Sequence, residues 1–244
     1  MHDVAALVFD VFGTLVDWRS SIAREVRDRL GALVPDPETF ADDWRAEYQG
    51  AMEAVRSGAI PFCKLDVLHR RNLDRVLAAR GLDAAVGEAA RIDLNLAWHR
   101  LDAWPDVAPG LVQLRERYRL APCSNGNISL MVDLARRNRL PWDAVLGAEV
   151  ARDYKPKPAV YLAAAAAFDL EPERVMMVAA HSSDLEAAAR CGLRTAFVAR
   201  PDEKGPGRGE HRAAVPVDVE VASLVDLARR LGEVSRNTAT RPEL

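Results

Sequence analysis

Short apolar runs alternate with amphipathic helical patterns along most of the chain. Uninterrupted apolar segments, typical of strands buried on both faces, lie at residues 4–9, 120–123, 174–180 and 195–198. A fifth candidate strand lies at 215–219, where a proline indicates an edge position. Helical patterns separate these segments, which predicts an α/β fold with a doubly wound, Rossmann-like parallel sheet.

One long stretch breaks this alternation. Between residues 17 and 98, apolar residues recur at helical spacing in four segments, and no strand pattern is convincing. We therefore expect a helical cap at residues 17–98, inserted into a catalytic core of residues 1–16 and 99–234. Residues 235–244 carry few apolar side chains, which predicts a flexible tail.

The composition of the chain indicates which kinds of partner and which cellular compartment to expect. The length of 244 residues exceeds the usual ~150 of one domain and fits a core with an insertion. The formal charge of −3 offers no positive field for nucleic acid. The three cysteines form no CxxC motif, which favours a reducing cytoplasm over disulfides or zinc. With neither a secretory signal nor a long apolar run, we expect a soluble protein without a membrane partner.

Polar residues follow the ends of the predicted strands, where ligands bind in open α/β sheets. They are Asp10 and Thr14 after the first strand, Ser124 and Asn125 after the second, Lys155 and Tyr161 before the third, and His181 and Asp184 after it. Each has an ordinary structural alternative as a helix cap, a turn residue or a solvated lysine. Their combination at one edge predicts an active site.

The order of these residues resembles the haloacid dehalogenase superfamily over essentially the whole chain. The likeness is greatest to type II L-2-haloacid dehalogenases, whose Asp-x-Tyr-Gly-Thr-Leu motif matches residues 10–15, with Phe12 for tyrosine. Their Lys-Pro-x-Pro-x-x-Tyr motif matches residues 155–161, and their cap Trp-Arg pair matches Trp44 and Arg45. The resemblance implies an (S)-2-haloacid dehalogenase that converts short 2-haloacids to 2-hydroxy acids through an aspartyl ester, without a cofactor or metal.

Two departures separate this chain from phosphatases of the same superfamily. Those enzymes carry Asp-x-Asp, whose second aspartate protonates the leaving group. This chain has Phe12 at that position, and its side chain cannot transfer a proton. They also place a magnesium-binding aspartate after the third strand, where this chain has Ala179, Ala180 and His181. A halide leaves without a proton or a metal. A magnesium-dependent phosphatase and a catalytically silent binding protein remain as alternatives.

The resemblance implies roles for the reacting groups. Asp10 is the nucleophile, ionised beside Lys155 and oriented by Thr14. Asp184 activates or positions the water that hydrolyses the ester, and Tyr161 hydrogen-bonds within this network.

It likewise implies the groups that bind substrate. Ser124 and backbone amides of the first loop, that of Val11 among them, hold the substrate carboxylate. Arg45 and Asn125 hold the departing halide, and Phe12 excludes water. Arg45 is one of several cap arginines, and most arginines on amphipathic helices are solvated.

His181 is the main departure from the dehalogenase pattern, which usually has asparagine there. We expect His181 either to donate to the substrate carboxylate or to share the base role with Asp184. The implied partner is a small halogenated carboxylic acid, and family likeness implies a homodimer.

Overall fold

The computed structural model describes the backbone of residues 4–239 and the side chains of residues 4–233. Within that range, five parallel strands form the main sheet: β1 (Ala6–Phe9), β4 (Arg119–Pro122), β5 (Val175–Ala179), β6 (Arg194–Val198) and β7 (Val219–Val221). Their order is β4-β1-β5-β6-β7. The predicted fold class is confirmed.

Side chains of β1 alternate between two apolar layers, one on each face of the sheet. Leu7 and Phe9 share one buried cluster with α5 (Val107–Arg115), α6 (Ile128–Asn138) and α10 (Leu224–Ala239). Ala6 and Val8 share the other with α8 (Pro158–Ala166) and α9 (Ser182–Arg190). Burial on both faces explains why the strand sequences are continuously apolar.

The insertion after β1 is helical, with α1 (Trp18–Leu30), α2 (Pro37–Arg56), α3 (Leu65–Ala79), α4 (Glu88–Asn95) and a 3₁₀ turn at Leu96–Arg100. Asp17 and Asp36 cap α1 and α2 by accepting backbone N–H groups. A short antiparallel ribbon of β2 (Val16–Asp17) and β3 (Asp102–Ala103) joins the insertion to the core. The division into a cap at 17–98 and a core stays a proposal, which this ribbon supports.

Polar contacts hold the insertion over the carboxyl edge of the sheet. The hydroxyl of Tyr154 donates to the carbonyl of Cys63 at 2.6 Å, and Arg56 donates to the carbonyl of Lys155 at 2.6 Å. Farther along the boundary, Asn127 donates to the carboxylate of Asp66 at 2.8 Å. The cap helices therefore lie directly above the predicted site residues.

One sequence-based prediction differs from the structure near the C-terminal end. The predicted fifth strand at 215–219 lies further along the chain: β7 begins only at Val219, and the Asp218 carboxylate accepts the backbone N–H of Thr195. Residues 235–239 of the predicted tail continue α10, since neither glycine nor proline interrupts residues 233–239, and the flexibility of the tail stays a prediction. Residues 240–244 of that tail, like residues 1–3, lie outside the described residues.

Candidate active site

The strand register brings the site residues to one edge. Phe9 is paired with Pro122 on β4 and with Val178 on β5, so the three strands end together. The N–H of Asp10 extends this pairing by donating to the carbonyl of Val178 at 3.0 Å. Residues that follow these strands therefore converge, although they are distant in sequence.

Asp10 is a buried carboxylate with hydrogen-bond donors on both oxygens. Thr14 Oγ1 donates to Oδ2 at 2.7 Å, and Lys155 Nζ lies 3.3 Å from Oδ1. The N–H of Ala180 donates to Thr14 Oγ1 at 2.9 Å and thereby orients the threonine. Burial disfavours ionisation, but Lys155 and His181 outweigh it and hold the pKa of Asp10 well below its usual range. The lowered pKa favours the ionised carboxylate, which is the form that the predicted nucleophilic role of Asp10 requires.

Lys155 lies between two carboxylates. Its Nζ is 2.7 Å from Asp184 Oδ2 as well as 3.3 Å from Asp10 Oδ1. Tyr161 donates its hydroxyl to the other oxygen of Asp184, at 2.6 Å. Burial opposes the charge on Lys155, but Asp184 and Asp10 raise its pKa above the usual value. The structure thus brings the predicted Asp10, Lys155, Tyr161 and Asp184 into one network.

His181 bridges two carboxylates from opposite sides. Its Nδ1 lies 3.1 Å from Asp10 Oδ2, and its Nε2 lies 2.9 Å from Glu203 Oε2. Burial lowers the pKa of His181, but hydrogen bonds to Asp10 and Glu203 outweigh that and raise it to about 10. The imidazolium at neutral pH has no lone pair with which to accept a proton. This pairing favours the role of a hydrogen-bond donor over the shared base role for His181, and both roles stay predictions.

Glu203 is a buried residue of the site that sequence reasoning missed. Its Oε1 accepts the indole N–H of Trp18 at 3.0 Å, while its Oε2 contacts His181. Gly13 has a φ of +85°, and a Cβ there would overlap the Glu203 carboxylate. Residues 200–212 are rich in glycine, proline and charged residues, a composition typical of a loop that does not single out Glu203. That loop follows β6, so the rule that ligands bind beyond strand ends applied to it as well.

Arg200 anchors the same loop to the nucleophile loop. It donates Nε to the carbonyl of Thr14 at 2.8 Å. Its two terminal nitrogens make paired 2.9 Å hydrogen bonds with the carboxylate of Asp106. This buried bidentate pair fixes the loop that carries Glu203.

The guanidinium of Arg45 lies in an aromatic pocket of the cap. Its Cζ is 3.9 Å from the ring centroid of Tyr48, 5.4 Å from that of Trp18 and 5.7 Å from that of Phe12. Nη1 is buried and makes no hydrogen bond within the described part of the chain. A half-buried cation whose buried Nη1 has an unused donor fits an anion.

His69 is a second residue that the prediction missed. It is 1% exposed, its ring stacks on Trp98 at 4.2 Å, and neither ring nitrogen has a hydrogen-bond partner among the described residues. Burial lowers its pKa to about 3, so the imidazole is neutral. It interrupts the apolar stripe formed by Leu65 and Leu73, and this polar residue at helical spacing was an available signal.

The remaining predicted residues lie on the loops around Asp10. Ser124 Oγ accepts the N–H of Gly126 at 3.1 Å, and Asn125 Oδ1 accepts the N–H of Lys155 at 2.8 Å. The serine hydroxyl proton is thus left as a donor, and the NH₂ of Asn125 keeps one proton besides the one that it donates to the hydroxyl of Tyr48. Val11 is buried, and its carbonyl accepts from the turn that follows.

Phe12 is buried against aromatic side chains of the cap. Its ring makes edge contacts with Tyr48, His69 and Trp98.

In residues 4–233, no three His, Cys, Asp or Glu side chains are placed to hold a metal ion. Metal independence itself stays a prediction. No helix in the described range is long and apolar enough to cross a membrane.

The doubly wound sheet, the helical insertion and the buried carboxylate–lysine cluster together define a cap-bearing α/β hydrolase. The haloacid dehalogenase-like hydrolase family matches residues 4–192. A defluorinating L-2-haloacid dehalogenase of known structure is 44% identical, with a TM-score of 0.91, over 94% of this chain and 95% of that one.

Two further relatives agree with that match. A second L-2-haloacid dehalogenase structure is 45% identical, with a TM-score of 0.89, over 94% of this chain and 99% of that one. The (S)-2-haloacid dehalogenase 4A of Burkholderia cepacia is 27% identical over 93% of this chain and 94% of its own. The chain belongs to the haloacid dehalogenase-like hydrolases, as the motif resemblance predicted.

Proposed function

We propose that this protein hydrolyses short (S)-2-haloacids to 2-hydroxy acids through an ester on Asp10, without a metal. The observation that carries this proposal is the ionised, buried Asp10 carboxylate beside Lys155. The names of its relatives, (S)-2- and L-2-haloacid dehalogenases, support the same substrate class.

In the first step, an oxygen of Asp10 attacks C2 of the substrate and the carbon–halogen bond breaks. The electron pair of that bond leaves with the halide, so no proton transfer is needed. Arg45 and the NH₂ of Asn125 bind the departing anion, and Phe12 keeps its surroundings dry.

The substrate carboxylate needs donors on the other side of the reacting carbon. We place it against the hydroxyl of Ser124 and the backbone N–H groups of the first loop, including that of Val11. Ser124 is buried, and one of the two lone pairs of its hydroxyl accepts the N–H of Gly126. Its hydroxyl proton is therefore directed away from the turn.

In the second step, water hydrolyses the ester at the carboxyl carbon of Asp10. Asp184 orients or deprotonates that water, because it lies beside Lys155 and keeps unused lone pairs after its two hydrogen bonds. Lys155 holds Asp184 next to Asp10, and Tyr161 fixes its other oxygen. Free Asp10 is regenerated with the 2-hydroxy acid product.

The decisive experiment measures halide and hydroxy acid release from chloroacetate, bromoacetate, fluoroacetate and 2-chloropropionate, with and without EDTA. Fluoroacetate belongs in the panel because one relative is a defluorinating enzyme. We expect stoichiometric halide and hydroxy acid, unaffected by EDTA and absent in Asp10→Asn. Release from none of the substrates, or hydrolysis of phosphate esters that EDTA abolishes, would contradict the proposal.

We further propose a cytoplasmic homodimer, as the resemblance implies. Cys63, Cys123 and Cys191 are all free thiols, which suits a reducing compartment. Light scattering on protein eluted from a size-exclusion column measures the molar mass in solution. A mass of one chain, 26.8 kDa, would contradict the dimer.

A further inference from the structure

The two oxygens of Asp10 have different surroundings. Oδ2 accepts from Thr14 at 2.7 Å and lies 3.1 Å from His181 Nδ1, whereas among the described residues the one polar side chain that contacts Oδ1 is Lys155, at 3.3 Å. An oxygen whose lone pairs already accept two hydrogen bonds is a poorer nucleophile than one with a single, longer contact. Oδ1 is therefore the oxygen that attacks, and Oδ2 becomes the carbonyl oxygen of the ester.

Hydrolysis of that ester places negative charge on Oδ2. Water adds to Cγ, and the C=O electron pair moves onto Oδ2. When that pair returns, the Cγ–Oδ1 bond breaks and Oδ1 leaves with the product as its hydroxyl. Of the two water protons, one ends on that hydroxyl and one is released. Asp10 keeps Oδ2 and the water oxygen as its carboxylate.

We propose that Glu203 is a positioning residue for this second step. It holds His181 protonated and directed at Asp10 Oδ2, so that the imidazolium and the Thr14 hydroxyl together stabilise the oxyanion. This inference rests on the proposed function and adds to it a residue for the hydrolytic half of the reaction.

The contacts of Glu203 support a positioning role. Both of its oxygens are used, one by Trp18 at 3.0 Å and one by His181 at 2.9 Å. The side chain is buried against Gly13, and Arg200 fixes its loop. A rigid, fully bonded carboxylate directs the ring better than water would, because a preorganised donor needs no rearrangement during reaction.

Ester formation makes Glu203 the main charge partner of His181. Once esterified, Asp10 is neutral and no longer favours the imidazolium, while Glu203 keeps its charge. Its pKa is held low, because His181 and Trp18 outweigh the effect of burial. A buried histidine beside one carboxylate stays protonated, whereas without it burial favours the neutral form.

Other charged groups around His181 are already paired elsewhere. In the described residues, Asp10 and Glu203 are the charged groups that contact its ring. Lys155 and Asp184 pair with each other on the far side of Asp10, and Glu210 bonds Ser182 at the start of α9. Arg45 acts on Glu203 from the cap and favours its ionised form.

Glu203→Gln tests the proposal, because it keeps the shape and removes the charge. With chloroacetate as the probe, halide release in the first turnover should stay within about threefold of wild type. Decay of the ester, followed by intact-protein mass after rapid mixing, should slow by about 10²-fold. The alkaline limb of that decay rate should move to lower pH by about one unit or more, because His181 then loses its proton more easily.

The His181→Asn variant is the control that shows whether Glu203 acts through His181. Asparagine keeps a donor that does not titrate, so adding Glu203→Gln to it should leave the pH profile of ester decay unmoved. Glu203→Asp, which keeps the charge, should recover about tenfold of the rate lost in Glu203→Gln. An equal pH shift with and without His181 would show that Glu203 acts otherwise and would overturn the proposal.

The unmodified protein offers an independent measurement. Ring ¹⁵N shifts of His181 should report an imidazolium at about pH 8 in the free enzyme, since its pKa is raised to about 10. A neutral ring there, or ester decay in Glu203→Gln that matches wild type, overturns this proposal alone. Failure of the wild type to release halide overturns the proposed function as well, so the two failures are distinguishable.

Discussion

Lys155 Nζ lies 3.3 Å from Asp10 Oδ1, although the two residues are 145 positions apart in the chain. Both side chains are buried, and the lysine also contacts Asp184 at 2.7 Å. Two neighbouring carboxylates would otherwise disfavour each other's ionised form. The ammonium group favours the ionised form of Asp10, which the proposed nucleophilic step requires.

Lys155→Met should lower kcat by about 10²-fold or more, because Asp10 then loses the cation that favours its ionised form. The pKa of Asp10 should rise, so residual activity should fall as the pH decreases from neutral. The pH dependence of kcat for chloroacetate checks this. Lys157→Met, an exposed lysine two residues away, is the matched control and should behave as wild type. Equal activity of both variants would contradict the assignment.

Arg45→Lys should weaken halide binding by about tenfold, because an ammonium cannot reproduce the stacked, planar guanidinium. The relevant contact is the 3.9 Å stacking of Arg45 on Tyr48, with Nη1 left without a partner in the described residues. Inhibition by added bromide measures the effect. Arg71→Lys, on an exposed position of α3, controls for cap charge. An unchanged inhibition constant would place the halide elsewhere.

Gly13→Ala should destabilise the protein by about 2 kcal/mol or more. The residue has a φ of +85°, and a Cβ would overlap the Glu203 carboxylate. Displacement of Glu203 should also slow turnover. Urea unfolding measures the change in stability. Gly50→Ala, inside α2 with nothing within 4 Å of its added Cβ, should instead stabilise by about 0.5–1 kcal/mol.

His69 should make the fold sensitive to acid. Its pKa is about 3 in the folded protein and 6.5 ordinarily, so only the unfolded chain binds its proton between those values. This contribution to stability is complete above about pH 6.5 and is lost as the pH falls towards 3. His69→Phe should reduce the stability lost between about pH 7 and 4.5 by about 2 kcal/mol. Urea midpoints test this, with the exposed His211→Phe as control.

The sheet was largely predictable from the sequence. Strands β1, β4, β5 and β6 begin and end within about two residues of their predicted bounds, because burial on both faces requires continuous apolar runs. The short edge strand β7 was displaced, since its position depends on the hydrogen bonds of Asp218 with Thr195. Such a contact leaves no periodic pattern in the chain.

The residues of the candidate site also fall into those that the sequence predicted and those that it did not. Asp10, Thr14, Ser124 and Asp184 follow parallel strands, so topology alone predicts that they meet at one edge. Lys155 lies between two strands and was predicted from its Lys-Pro-x-Pro-x-x-Tyr motif. Their motif spacing also predicted the family that the comparisons found. These features depend on local sequence order and were therefore accessible without a structure.

The partners of His181 and Arg45 depended on packing between distant segments. Glu203 reaches His181 across a loop with no regular structure, and Gly13 makes room for it. His69 comes close to Phe12 only because the cap helices fold over the sheet edge. Sequence patterns record periodicity and burial, whereas side-chain pairing across loops and helices depends on three-dimensional approach. The nucleophile could therefore be predicted from the chain, but the charge state of the histidine beside it required the fold.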